Sequence, residues 1–347
     1  MGSDRHTPQA PPADASPARM PTTYDVARAA GVSQMTVSRA FDPEAPIRDR
    51  TRRKILATAE EIGYVHNRSA SDLASGRRRG IGMIVPTLQE SIYLPVVDGA
   101  RRAFDAEGAS FFLQAIDYDR RKEMGALTTL LSLRVRAVLL PSIGHGAKEA
   151  AFIRRLAVPV IEAGNLPEQP IHAAVGHSDF KAGYVATRHL IAAGRTRVAM
   201  ICGHPNQTSN SRDRLRGYRA ALREAGLFAD PGRIAFTDHS CAGAAHALAR
   251  IEAGGTPFDS IVAAGELWSP PVLLSLLKSG RQVPDDVAVM GVGDVTLGPY
   301  FPVGLSVVAL PRYESGRMAA ELAMADPAGS RGQRIELPVT LTLRESA

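Results

Sequence analysis

The sequence predicts a multidomain α + α/β fold: a small three-helix head, then a larger core in which parallel sheets are covered by helices. Three observations predict it. Residues 22–41 read as two short helices joined by a tight turn. Residues 49–62 add a third stretch with one apolar stripe. From Gly80 onward, apolar runs rich in β-branched residues alternate with helical stretches, the pattern of parallel sheets. A chain of 347 residues, 45% of them hydrophobic, has enough apolar surface for more than one domain.

In the head, Thr23 can cap a helix whose apolar positions Val26, Ala27 and Ala30 follow the 3.6-residue period. Gly31 supplies the turn and Ser33 the next cap. The second helix, Gln34 to Phe41, keeps Val37 and Phe41 inward and turns Gln34, Met35, Ser38 and Arg39 outward. A short helix with amides and a guanidinium on its outer face has the shape that enters a major groove and reads base edges. The plain alternative is a surface helix of an ordinary helical domain. A third helix, about Asp49 to Ile62, places Ile55, Leu56, Ala59 and Ile62 on one stripe, and Gly63 ends it. Asn67 to Gly76 then brackets about eight residues with one large apolar side chain, Leu73, before the run Arg77 to Arg79. A helix that short is marginal in water and needs a partner to form.

In the core, strands are expected at Ile81–Val85, Phe111–Ala115, Ala137–Leu140, Val158–Ile161, Ala173–Val175, Val198–Ile201, Ser260–Ala263 and Val287–Met290. Helices are expected at Val96–Glu107, Lys122–Leu133, Phe180–Ala192, Arg212–Ala225, Ala242–Ala253 and Pro271–Lys278. Late segments, Ser306–Leu310 and Ile335–Leu343, would cross back to complete two sheets. Ligands of open α/β sheets bind beyond the carboxyl ends of strands. The residues found there are Tyr93, Asp117, Ser142, Glu162, Asp179, Arg214, Glu266, Trp268 and Asp294. This set is polar, with aromatic faces for C–H edges and an arginine able to hold a carboxylate or vicinal hydroxyls.

These motifs resemble the lactose-repressor (LacI/GalR) family of bacterial transcription regulators. The matching pieces are Tyr24-Asp25-Val26-Ala27, Ala30-Gly31-Val32-Ser33, Thr36-Val37-Ser38-Arg39, Ala59-Glu60-Glu61-Ile62-Gly63-Tyr64 and Asn67 through Leu73, and the resemblance runs from residue 22 to about 345. It implies a helix-turn-helix head over 21–66, a hinge helix and linker over 67–79, and a periplasmic-binding-protein-like core over 80–347. The core would be two Rossmann-like parallel-sheet subdomains, about 80–176 with 310–334 and about 177–306 with 335–345. DNA contacts would fall to Thr23, Tyr24, Ser33, Gln34, Met35, Thr36, Ser38, Arg39, Asn67, Ala70 and Leu73, with Leu73 wedged into the minor groove. Arg214 matches the family's effector arginine, three residues before Gly217-Tyr218. Glu266 of Gly265-Glu266 takes the effector-binding acid's place, and Gly293-Asp294 stands where the family usually has two acids. The family's effector-proximal Gln or Arg near the last crossover is replaced around Ala309-Leu310. Met35 to Arg39, Pro159 to Glu162 and Val175 to Phe180 look most like the gluconate-repressor branch, which answers to aldonic acids or their phosphates.

Composition agrees with a reader of nucleic acid. The chain carries a net charge of +6, and residues 19–79 hold 12 Arg/Lys against 7 Asp/Glu, so most of the excess sits on the head. Such a footprint suits phosphate, whose contacts position a protein without specifying sequence. The partners expected are palindromic double-stranded operator DNA, a sugar or aldonic-acid effector and a second copy of the chain, because one head reads one half-site. No cofactor, metal or membrane is expected. The nine His show no metal-ligand spacing. Two cysteines, Cys202 and Cys241, give no disulfide framework. No apolar run suits a span, and residues 1–20 read as a disordered tail without a signal core, so a cytoplasmic, nucleoid-associated protein is expected. An enzyme is not expected. After Gly291-Val292-Gly293 the dinucleotide fingerprint is broken at Thr296, and the adjacent Asp238-His239-Ser240-Cys241 cannot aim at one another as a triad. The alternatives are a non-enzymatic solute sensor and a purine-type regulator that needs a co-repressor.

Overall fold

The computed structural model describes residues 19–42, 45–66, 80–88, 91–142, 144–325 and 330–347. Residues 1–18 of the expected tail and the expected hinge residues Asn67, Ala70 and Leu73 lie outside them. The chain divides into two compact units, Met1–Arg77 and Arg78–Ala347.

Among its described residues the first unit holds three helices, α1 (Thr23–Ala30), α2 (Gln34–Phe41) and α3 (Asp49–Glu61). Val26, Ala30, Val37, Ile55 and Ala59 close its core. The cap of α1 is Thr22 rather than Thr23: Thr22 N–H donates to the Asp25 carboxylate at 2.8 Å. The Thr23 hydroxyl is instead 2.9 Å from the Tyr64 hydroxyl. Gly31 closes α1 at φ +66°, a conformation costly for a residue with a Cβ. Leu56 departs from its expected place on the inward stripe and is exposed; Ile55 and Ala59 carry that contact.

The second unit is built on two six-stranded sheets. Strands β1 (Gly80–Val85), β2 (Ser110–Ala115), β3 (Ala137–Ser142), β4 (Val160–Asn165), β5 (Ala173–His177) and β11 (Arg334–Glu336) form the first, in the order β11-β5-β4-β3-β1-β2, all parallel. Strands β6 (Val198–Gly203), β7 (Ile234–Thr237), β8 (Ser260–Ala263), β9 (Ala288–Val292), β10 (Ser306–Ala309) and β12 (Thr340–Thr342) form the second, in the order β12-β10-β9-β8-β6-β7. Only β12 runs antiparallel in it, to β10.

Each sheet is covered on both faces. Helices α4 (Leu94–Ala106) and α11 (Arg312–Met324) lie on one face of the first sheet, and α5 (Arg120–Ser132) and α6 (Ala147–Arg154) on the other. In the second sheet, α7 (Asp179–Ala192) and α8 (Ser209–Glu224) cover one face, and α9 (Cys241–Ala253) and α10 (Ser269–Lys278) the other. This double covering is why the strands read as continuous apolar runs. The chain crosses between the sheets after β5, after β10 and again between β11 and β12. Residues 334–336 therefore complete the first sheet, so the last crossing falls after Glu336 rather than before Ile335. Three elements had no place in the sequence reading: the short strand β7, helix α6 and helix α11. At four and eight residues, the first two are too short for a strong periodic signal.

Candidate functional site

The outer face of α2 is the first candidate site. Gln34, Met35, Ser38 and Arg39 are exposed, as is Tyr24 on α1, while Thr36 is half-buried. Thr36 N–H donates to Ser33 Oγ at 3.2 Å, so these two residues cap the helix as well as border its outer face. The far end of α2 is held by Arg52 from α3. Its guanidinium donates to the carbonyls of Ala40 (2.9 Å), Asp42 (2.7 Å) and Ala45 (2.9 Å), at and just beyond the end of α2.

The second candidate site lies between the two sheets of the second unit. Strand ends and helix starts converge on a chamber of about 50 Å³ lined by Tyr93, Tyr118, Arg214, His239, Glu266, Trp268 and Arg312, among others. Of the expected ligand residues, Tyr93, Arg214, Glu266 and Trp268 meet here. Arg214 is buried on α8, where Gly183 and Gly217 let α7 and α8 approach closely: a Cβ on Gly183 would stand 2.2 Å from the Arg214 carbonyl oxygen. The Arg214 Nε donates to Asp179 at 2.5 Å and Nη1 to the Ala264 carbonyl at 2.8 Å. Asp179 is fully buried beneath Arg214 and does not line the chamber. Burial would raise its carboxyl, but the neighbouring Arg214 and His177 outweigh that and hold it well below the usual carboxylate range. Trp268 donates from Nε1 to the Asp238 carbonyl at 2.9 Å, presenting its ring to the chamber wall.

The residue that sequence reading missed is Arg312. It stands two positions beyond Leu310, on the first turn of α11, just past the carboxyl end of β10. The strand-end rule applied to β10 would have found it. Its Nε and Nη2 donate to the two oxygens of Glu266 at 2.6 and 2.8 Å, a bidentate pair. Burial alone would lower the Arg312 pKa; Glu266 beside it reverses the sign and raises it. Arg312 also lies over the Tyr93 ring, 5.8 Å from its centroid.

Arg312 belongs with the first sheet and Glu266 with the second, so the pair spans the cleft. Other contacts span it too. Tyr118 stacks on His239 with centroids 4.1 Å apart and planes 10° from parallel. Asn165 Nδ2 donates to Asp213 at 3.0 Å, and Lys181 to Glu336 at 2.7 Å. Tyr118 and Asp117 both hold positive φ, +57° and +50°, a strained pair for non-glycine residues. Burial lowers the pKa of His239, favouring the neutral ring in that stack.

The remaining expected residues lie elsewhere. Asp294 lines an adjoining groove of about 590 Å³ and accepts from Arg344 at 3.1 Å. The Glu266–Arg312 pair is the shared wall of this groove and the chamber. Asp117 pairs with Lys122 at 2.9 Å, half exposed, and reaches neither space. Ser142 and Glu162 line a separate cavity of about 350 Å³ with His145, Arg154, Arg212 and Arg216. Ser142 also lines a narrow pocket shared with Tyr93 and Arg312, so it reaches the back of those two side chains. In the larger cavity His145 is 2.7 Å from Glu123 and 3.6 Å from Glu162, all three side chains buried. Burial raises the Glu162 carboxyl, against the Ile171 N–H and His145, which favour its charged form. Among the described residues no cluster of His, Cys, Asp and Glu could hold a metal, and no helix is long and apolar enough to cross a membrane.

Both units of the chain are similar to known proteins. Residues 22–67 match the bacterial regulatory proteins of the lacI family, and residues 187–347 match the periplasmic binding protein-like domain. The transcriptional regulator CelR of Thermobifida fusca is 30% identical over 342 residues, covering 94% of this chain and 98% of its own. The chain belongs to the LacI family. The transcriptional regulator GntR of Pseudomonas aeruginosa is 29% identical over 330 residues, 94% of this chain and 95% of that one. In three dimensions, a LacI-family regulator from Silicibacter pomeroyi superposes with a TM-score of 0.85 at 27% identity, over 94% of this chain and 98% of that one. As a LacI-family protein the chain is a DNA-binding transcriptional regulator, and its second unit has the family's two-subdomain core.

Proposed function

We propose that this regulator is a repressor that reads a palindromic operator as a homodimer, and that an anionic, gluconate-like sugar acid in the cleft sets its grip on DNA. The observation that carries the effector class is the pair of arginines, Arg214 buried and Arg312 largely so, lining one small chamber with three aromatic rings and a histidine. Buried guanidiniums favour a ligand with a planar carboxylate. On DNA, Gln34, Met35 and Arg39 take base edges, and Thr23, Tyr24, Ser33, Thr36 and Ser38 take the backbone around them. Residues 67–79 serve as the hinge, with Leu73 as the wedge. Effector binding alters the angle between the subdomains and so the spacing of the two hinges. A coupling of about 1–3 kcal/mol shifts operator affinity roughly 5–150-fold. The setting is the cytoplasm.

A planar purine is a second reading, favoured by the Tyr118–His239 stack with Trp268 beside it. Titration calorimetry with gluconate, glucose and guanine separates the two. Arg214→Ala should lose most of the affinity for the ligand that binds while keeping operator binding. Unchanged ligand affinity in that variant would remove Arg214 from the site.

A further inference from the structure

The chamber that should hold a ligand is too small for one. About 50 Å³ admits one or two water molecules and no six-carbon acid. What closes it is the chain itself. The Glu266 carboxylate lies flat against Arg312 with both oxygens engaged, at 2.6 and 2.8 Å, from the opposite side of the cleft. Its position is built, not incidental. Gly293 holds φ +86° beneath it, and a Cβ there would come within 2.2 Å of Glu266 Cγ. Tyr93 covers the guanidinium from the first subdomain. The groove of about 590 Å³ on the far side of the pair offers room for the Glu266 side chain when it leaves.

We propose that Glu266 is the chain's own occupant of the anion site: its carboxylate holds Arg312 and keeps the cleft shut until a ligand carboxylate replaces it. The inference rests on the sugar-acid reading above for the identity of the displacing ligand, but the latch stands without it. Its consequence is selectivity. A neutral sugar that parts the pair strands Arg312 as a buried, uncompensated charge, which is strongly unfavourable. A carboxylate exchanges one bidentate partner for another and leaves the guanidinium satisfied. The protein thus rejects neutral sugars by the cost of an unpaired arginine rather than by a steric clash. Glu266 is then a competitor of the effector, the reverse of the effector-contacting acid its position suggests.

Trp268, the only tryptophan in the chain, lines the chamber and reports on both states. Full-length wild type and the isosteric Glu266→Gln are compared by acrylamide quenching without ligand, then titrated with sodium gluconate and with sorbitol, its neutral counterpart. The variant should quench more readily than wild type without ligand. It should bind gluconate about tenfold more tightly, the equivalent of about 1.4 kcal/mol of lost competition, and discriminate less against sorbitol. Glu266→Ala should behave in the same direction. Weaker gluconate binding in both variants would make Glu266 a ligand contact and overturn the proposal, as would quenching identical to wild type. Increased quenching with no gluconate binding to any form would uphold the latch and overturn the sugar-acid reading instead.

Discussion

Asp179 starts α7 just past β5 and Glu162 lies within β4, and their surroundings give the two buried carboxyls opposite behaviour. Asp179 is fully buried but paired with Arg214 at 2.5 Å, so its charge is held in place. Removing one partner of such a pair leaves the other buried and unmatched, at a cost of about 3–5 kcal/mol. Asp179→Asn should therefore lower the urea midpoint of the core by that order. A variant of unchanged stability that no longer binds effector would instead make Asp179 a ligand contact. Glu162 is buried with its carboxyl pushed up from the ordinary 4.5. A raised carboxyl gives stability that is complete below 4.5 and lost as pH rises through the folded-state value. Glu162→Gln keeps an acceptor for the Ile171 N–H but cannot ionise. Thermal melts at several pH values should show the variant gaining on wild type as pH rises through that window, and a difference constant across it would exclude the effect.

At the scale of the element, α2 is only eight residues long and depends on its neighbours for both ends. Ser33 caps its start, and Arg52 of α3 satisfies three carbonyls at and beyond its finish. Charge-assisted hydrogen bonds of this kind contribute about 1.5–3 kcal/mol each, and one arginine serves all three. Arg52→Ala should lower the stability of the head by about 2 kcal/mol and weaken operator binding through fraying of α2. The core should melt as before. Calorimetry that resolves the two transitions checks this, and a downward shift of the core transition would contradict the assignment. The capping of α1 shows how local such details are. Thr22 and Thr23 are both competent caps, and Thr22 holds the position because Asp25 lies three residues after it while Tyr64 engages Thr23.

For the whole molecule, the contacts that bridge the two subdomains among the described residues include Glu266–Arg312, Tyr118–His239, Asn165–Asp213 and Lys181–Glu336. They come from eight separate helices, strands and loops, so closing the cleft is a collective event rather than the movement of one side chain. The proposed operator reading is collective too. A two-fold dimer requires half-sites a fixed number of helical turns apart, and inserting about five base pairs puts one of them on the opposite face of the duplex. Gel-shift affinity should then fall towards that for random DNA. Retained affinity would mean that each head binds independently.

The sequence by itself determined the head, the two doubly covered sheets and the family, because each rests on local periodicity and short-range motifs. The 3.6-residue stripe of α1 to α3, the apolar strands and the turn at Gly31 are all set within a few residues of themselves. It also placed Tyr93, Arg214, Glu266 and Trp268 in one cleft, since strand ends are legible from the runs that precede them. What only the tertiary structure decided is which charges meet. Arg214 lies 35 positions from Asp179 and Arg312 lies 46 from Glu266, separations at which no sequence pattern records a partner. The pairing depends on how two sheets, threaded by three crossings, bring distant strand ends within a few ångströms. That is why Asp117 and Glu162, equally plausible in the sequence, turned out to face Lys122 and His145 rather than the chamber.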